Sequence, residues 1–180
     1  MASPRRLYFD KNSDETGILA SFWKKLEARR GPRAALRRAA TFQEAVVEPV
    51  FWELTAELKD AGFDLPEMDI PKLALLVILA ARVKSNSETH VSLARAMALP
   101  RSGDSPPVSR QRFKRLLAER DLERSLSLFT GVLRLLGSNV WLPGLAWAVW
   151  RWDEPGDAVR FKMAADYFGN LKDPAKTKKS

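Results

Sequence analysis

Nine consecutive apolar residues, Leu73 to Ala81, constrain the fold more than any other stretch of this sequence. A run without a polar face has to be covered on all sides. It is far shorter than the ~20 residues that span a bilayer, so it belongs to a protein core and not to a membrane. Asp69 to Pro71 supplies its start, because proline fits a first helical turn. The sequence therefore predicts a buried helix over Leu73–Val83, central to the first half of the chain.

The segments around it repeat at helical spacing. Thr16 is placed to cap a helix carrying Ile18, Leu19, Phe22, Trp23 and Leu26, with Gly31 ending it. A short basic helix follows over Pro32–Ala40. Thr41 and Glu44 have the spacing of a capping box. Pro49 predicts a break near Glu48, and Gly62 a stop after Phe51, Trp52, Leu54 and Leu58. Ser85–His90 reads as a polar loop, Ser92–Leu99 as a short helix and Pro100–Pro107 as a loop rich in Pro, Ser and Gly. Next come an amphipathic helix with Phe113, Leu116 and Leu117, another with Leu122, Leu126, Phe129, Val132, Leu133 and Leu136, a short apolar helix over Pro143–Trp152, and a last one over Asp157–Phe168. No alternating strand pattern and no internal repeat is visible. The expected fold is all-α, an antiparallel bundle of about eight or nine helices in two packed halves. The expected divisions are a loose N-terminus over 1–15, a first half over 16–88, a second over 89–169 and a disordered lysine-rich tail over 170–180.

Charge narrows the partners. Thirty Lys and Arg face 22 Asp and Glu, a net charge of +8, and the pI is near 10.0. Such a surface favours nucleic acid or another anionic partner. The charge is uneven. Between Lys24 and Arg38 there are seven basic residues against the single acid Glu27, whereas positions 41–80 hold eight acids and two bases. The acidic quarter is expected to face away from nucleic acid or to meet a basic neighbouring subunit. Arg33 and Arg37 share a helical face, as do Arg110 and Lys114, with Arg112 and Arg115 close by. Arginine's planar fork suits bidentate phosphate contacts.

Catalysis finds no foothold. Without cysteine there is no disulfide, thiolate zinc site or cysteine nucleophile, and this usage suits a reducing cytoplasm. Met1–Lys11 is charged and has no apolar core of a secretory signal. One histidine, His90, has no companion ligand and reads as a surface loop residue. No phosphate-binding glycine loop, HExxH or clustered carboxylate is present. No enzyme activity, cofactor or metal is expected. Trp141, Trp147, Trp150 and Trp152 lie among aliphatic residues and are expected in the core, with Trp152 the exception that reaches a base.

Several motifs carry a resemblance. Ser109-x-x-Arg112-Phe113-x-x-Leu116-Leu117, then Leu133-Arg134-Leu135-Leu136, then the tryptophans ending in Arg151-Trp152, resemble the CRISPR-associated CasB family, the small subunit of the type I-E Cascade complex. Phe22-Trp23-x-x-Leu26, Arg37-Arg38 and Ser92-Leu93-x-Arg95-Ala96 fit the same family, so the resemblance spans about Thr16–Phe168. It implies a non-catalytic subunit present as two copies stacked head to tail, against the subunits that coat the CRISPR RNA. It further implies a role after base pairing, in which protein contacts hold strands that the guide has read. Both the target strand and the displaced non-target DNA strand would be steadied, keeping the R-loop open. The resemblance points to Arg37 and Arg38 along the nucleic-acid path. Together with the charge pattern it selects Arg33, Arg37, Arg38, Arg110, Arg112, Lys114, Arg115, Arg120, Arg134 and Arg160 as contacts. Family members often carry a basic residue just after the Leu-Leu pair; Ala118 stands there, and Arg120 is the expected substitute. Two other readings fit the residues alone: a helix-turn-helix DNA-binding regulator, and a structural helical adaptor that meets only protein. The first requires a 3–4-residue turn, where nine residues with three prolines join the two helices.

Overall fold

The computed structural model describes residues 4–171. The chain is predominantly all-α, with ten α-helices among the described residues rather than eight or nine. They are α1 (Asp14–Ala28), α2 (Arg30–Arg38), α3 (Phe42–Val46), α4 (Pro49–Asp60), α5 (Ile70–Arg82), α6 (Leu93–Ala98), α7 (Arg110–Ala118), α8 (Leu122–Leu135), α9 (Leu142–Trp150) and α10 (Ala158–Phe168). A single 3-10 turn, Glu67–Asp69, leads into α5. Two short parallel pairings tie distant segments: β1 (Arg5–Arg6) with β2 (Phe63–Asp64), and β3 (Ser85–Asn86) with β4 (Asn139–Val140). Period-2 reading misses them because each strand is two residues long and is fixed by its neighbours.

The apolar run does what its composition demands. Every side chain from Leu73 to Ala81 is fully buried, and α5 touches α1, α2, α3, α8 and α9. Burying one such leucine is worth roughly 1.5–3 kcal/mol. Residues from before and after the Ser85–His90 connection belong to one hydrophobic cluster. The Ser85–His90 connection is itself held, because the amide of Leu142 donates to Asn86 Oδ1 at 2.8 Å.

Local signals placed most helix ends. The side chains of Thr41, Ser92, Ser109 and Asp121 accept from the backbone amides of Glu44, Arg95, Arg112 and Arg124. Glu44 reaches back to the Ala40 amide at 2.7 Å, and Gly62 takes up φ 85° after α4. Two ends differ from expectation. Ser13, not Thr16, precedes α1; Thr16 turns its hydroxyl to the Asp10 carbonyl at 2.8 Å. The joint between α1 and α2 falls at Arg29, leaving Gly31 inside the first turn of α2.

Within the N-terminal stretch expected to be loose, Leu7 and Phe9 are packed. Both are buried, the Trp150 indole donates to the Leu7 carbonyl at 2.8 Å, and the Phe9 and Trp150 rings lie 5.0 Å apart. Two isolated apolar residues in a polar stretch carry no periodic signal, so the sequence hid them. The basic tail expected beyond Gly169 lies, from 172 onward, outside the described residues. In the acidic quarter, Glu53 and Glu57 of α4 form surface ion pairs with Arg29 and Lys25, each at 2.5 Å.

Candidate nucleic-acid interface

The basic residues separate into those neutralised within the fold and those left with their charge. Helix α7 shows how the second kind arises. Ser109 caps it, and Phe113 and Leu116 are buried beneath it. Phe113 stacks on Tyr167 with ring centres 3.9 Å apart. Anchoring that one side leaves Arg110, Arg112, Lys114 and Arg115 exposed, and no described carboxylate forms an ion pair with any of them.

Helix α8 lies beside them and supplies the floor of a track. On one flank of α8, Arg112 and Arg115 line a groove of about 250 Å³ together with Ser127 and Gly131. The same Ser127 and Gly131 border a second groove, of about 350 Å³, which holds Arg82, Thr130 and Arg134. Those last three residues continue into a cleft of about 330 Å³ with Arg37 and Lys84. Serine and glycine at the crest keep the ridge between the grooves low. The result is a run of six cations, Arg37, Lys84, Arg82, Arg134, Arg112 and Arg115, contributed by α2, the end of α5, α8 and α7. One acid, Glu123, borders the middle groove.

Arg82 is the fixed member of this run. Its Nε donates to the Arg37 carbonyl at 3.1 Å and its Nη2 to the Ala39 carbonyl at 2.7 Å. Its Nη1 donates to the Thr130 hydroxyl, which itself donates to the Leu126 carbonyl at 2.6 Å. Burial pulls the Arg82 guanidinium down from the ordinary arginine value, and the nearby positive charges of Arg134 and Arg37 act in the same direction. It remains cationic at any physiological pH.

The sequence-selected residues thus divide. Arg37, Arg112, Arg115 and Arg134 line the track, and Arg38, Arg110 and Lys114 are exposed near it on α2 and α7. Arg33 lines none of the three grooves: its guanidinium donates to the Val83 carbonyl at 2.6 Å and the Ala81 carbonyl at 3.3 Å. Arg120 is ion-paired with Asp157. Arg160 does not extend the basic face. Its side chain is 6% exposed and donates to the carbonyls of Trp152, Glu119 and Leu117, with the guanidinium 4.4 Å from the Trp152 ring centre. Three helix-end and turn carbonyls in an apolar setting need a donor fork, and Arg160 meets that need. Trp152 is likewise interior: it is fully buried, and its indole donates to Ser125 Oγ at 2.8 Å. The exposed tryptophan is Trp52, 48% accessible on α4. Lys162, two residues beyond Arg160 along α10, pairs with Asp166 at 2.6 Å.

Arg82 and Lys84 were missed from sequence. Both follow the apolar run, where a basic residue reads as a helix boundary. The available signal was an arginine in the last turn of a buried helix, where it meets helix-end carbonyls.

A family model, CRISPR-associated protein Cse2, matches residues 32–168. The chain belongs to the Cse2 family. Cse2, also called CasB, is the small subunit of type I-E Cascade, so the chain is a structural subunit of a CRISPR Cascade complex that works with other subunits. Comparison with curated proteins and with solved structures gave no significant match. The Cse2 match includes α2 from its Pro32 onward and runs to the end of α10, so every residue of the track lies within it. Among the described residues of this Cse2 protein no helix is long and apolar enough to cross a membrane, and no group of three or more His, Cys, Asp or Glu is placed to hold a metal ion.

Proposed function

We propose that this Cse2 protein steadies the R-loop of a cytoplasmic type I-E surveillance complex by holding nucleic-acid strands through their phosphates. The observation that carries the reading is the track across α8, where Arg37, Lys84, Arg134, Arg112 and Arg115 have no carboxylate partner among the described residues. Phosphates drawn into such a track are held without reading bases, because charge neutralisation and counterion release are indifferent to sequence. A target strand paired with CRISPR RNA and the displaced non-target DNA strand both present that backbone. Holding either one opposes re-annealing of the two DNA strands. The partners in this reading are the other Cascade subunits, a second copy of the chain, the CRISPR RNA and both DNA strands.

The test is the joint substitution of Arg110, Arg112 and Arg115 by glutamine in the complete complex. Target DNA is expected to dissociate faster from that complex while its subunit composition stays unchanged. Dissociation at the unsubstituted rate from a correctly assembled complex overturns the proposal. A structural adaptor would give that second result. A helix-turn-helix regulator is not favoured by the geometry: eleven residues, Leu99–Ser109, separate α6 from α7, where that motif uses a 3–4-residue turn.

A further inference from the structure

The geometry points to a discrete site for one phosphate group in the cleft between α2, the end of α5 and α8, with Arg82 as its rigid anchor, and we infer that occupying this site stabilises the fold itself. The inference deepens the strand-holding reading and rests on it for the source of the phosphate, a phosphodiester of a bound strand.

A guanidinium has five N–H donors. Arg82 commits three of them, to the carbonyls of Arg37 and Ala39 and to the Thr130 hydroxyl. All three acceptors are neutral. The side chain is therefore immobilised without being neutralised, and two donors remain. Arg37, Lys84 and Arg134 line the same cleft, and no carboxylate does; Glu123 borders only the adjoining groove. Four cations around one cavity repel each other. Burial and the neighbouring Arg134 and Arg37 disfavour the charged form of Arg82. A dianionic or monoanionic phosphate placed there removes the repulsion and finds a pre-ordered donor, which lowers the entropy cost of binding. Arg82 ties the carbonyls ending α2 to Thr130 of α8, so the anion reinforces the packing of elements that lie far apart in the chain. A ligand bound only by the folded state raises its stability by mass action.

The test uses the full isolated chain and inorganic phosphate as probe. Thermal unfolding is followed in sodium phosphate and in sodium chloride of equal ionic strength. Phosphate is expected to raise Tm by about 2–4 °C over chloride. In the double variant Lys84→Gln, Arg134→Gln, whose side chains are both exposed, the Tm in chloride is expected to rise and the phosphate response to disappear. Arg112→Gln, on the other flank of α8, should keep the full response. Equal Tm values in the two salts, or a phosphate response that survives the double variant, overturns the site. Phosphorus NMR with a single-stranded DNA oligonucleotide separates the two sources. Release of bound phosphate assigns the cleft to the strand; retention with the oligonucleotide bound overturns that assignment in favour of a free anion. If phosphate has no effect but the chain still binds single-stranded DNA, the cleft site fails and the strand-holding reading stands. Loss of both sinks the strand-holding reading.

Discussion

Arg33 and Arg82 cap each other's helices. Arg33, on α2, donates to the carbonyls of Ala81 and Val83 that end α5, and Arg82, at the end of α5, donates to the carbonyls of Arg37 and Ala39 that end α2. Helix C-termini carry unpaired carbonyls and partial negative charge, and cations there satisfy both. The exchange locks α2 against the central helix and so sets the height at which Arg37 enters the track. Replacing Arg33 with methionine keeps the stem and removes the donors. The expected cost is about 1.5–3 kcal/mol, as for charge-assisted hydrogen bonds, read as a Tm fall of about 3–12 °C. Affinity of the folded protein for single-stranded DNA is expected to stay unchanged, because Arg33 is committed to the carbonyls of Ala81 and Val83 and lines none of the three grooves.

Arg160 gives the converse case within the expected contact set. Arg160→Met orphans the carbonyls of Trp152, Glu119 and Leu117, at about 1 kcal/mol or more for each. Chemical denaturation should report a loss of at least about 3 kcal/mol. Arg160→Lys is expected to rescue little, since one ammonium cannot match three bonds made by a fork.

Salt dependence separates track residues from bystanders. A plot of log affinity for single-stranded DNA against log salt loses about 0.7 of slope per phosphate contact removed. The triple substitution at Arg110, Arg112 and Arg115 should flatten the slope by about 2 if all three make contacts. Arg120→Gln should leave it unaltered, because Arg120 is already occupied by Asp157.

Acid stability has a local contributor at Asp157. The hydrogen bond from Arg120 holds the Asp157 carboxyl below the usual aspartate range, with the charges of Arg120 and Arg160 assisting. The sign follows from that depression. The stabilisation is fully present above the unfolded-state value, ~3.9, and is lost as pH falls through the lower folded-state value. Asp157 also sits at φ 58°, a conformation that asparagine tolerates. Asp157→Asn is expected to lower Tm at pH 6 and to make the Tm fall less steep below pH 4. Equal acid limbs in both proteins would contradict this.

The chain announced its helices and hid its long-range ties. Helix α7 was legible because Phe113 and Leu116 repeat at helical spacing and Ser109 caps the first turn. Helix α5 was legible because nine apolar residues allow no exposed face. Arg37, Arg112, Arg115 and Arg134, which line the adjoining grooves, were selected through charge and resemblance together. Arg82 and Lys84 were not, since their role exists only where α2 and α8 meet the end of α5, a tertiary fact with no local trace. Arg33 and Arg160 carry the same charge as their neighbours, and only the carbonyls that surround them distinguish a structural arginine from one that greets solvent.

The bond between the Trp150 indole and the Leu7 carbonyl joins positions 143 apart in the chain. A ribosome delivers Leu7 long before Trp150, and at ~5–20 residues per second the interval is roughly 7–30 s. During that interval the N-terminal segment lacks the ring that covers Phe9. Packing of the N-terminal segment therefore waits on the synthesis of α9, and nothing that depends on that segment being in place can begin before Trp150 has been made.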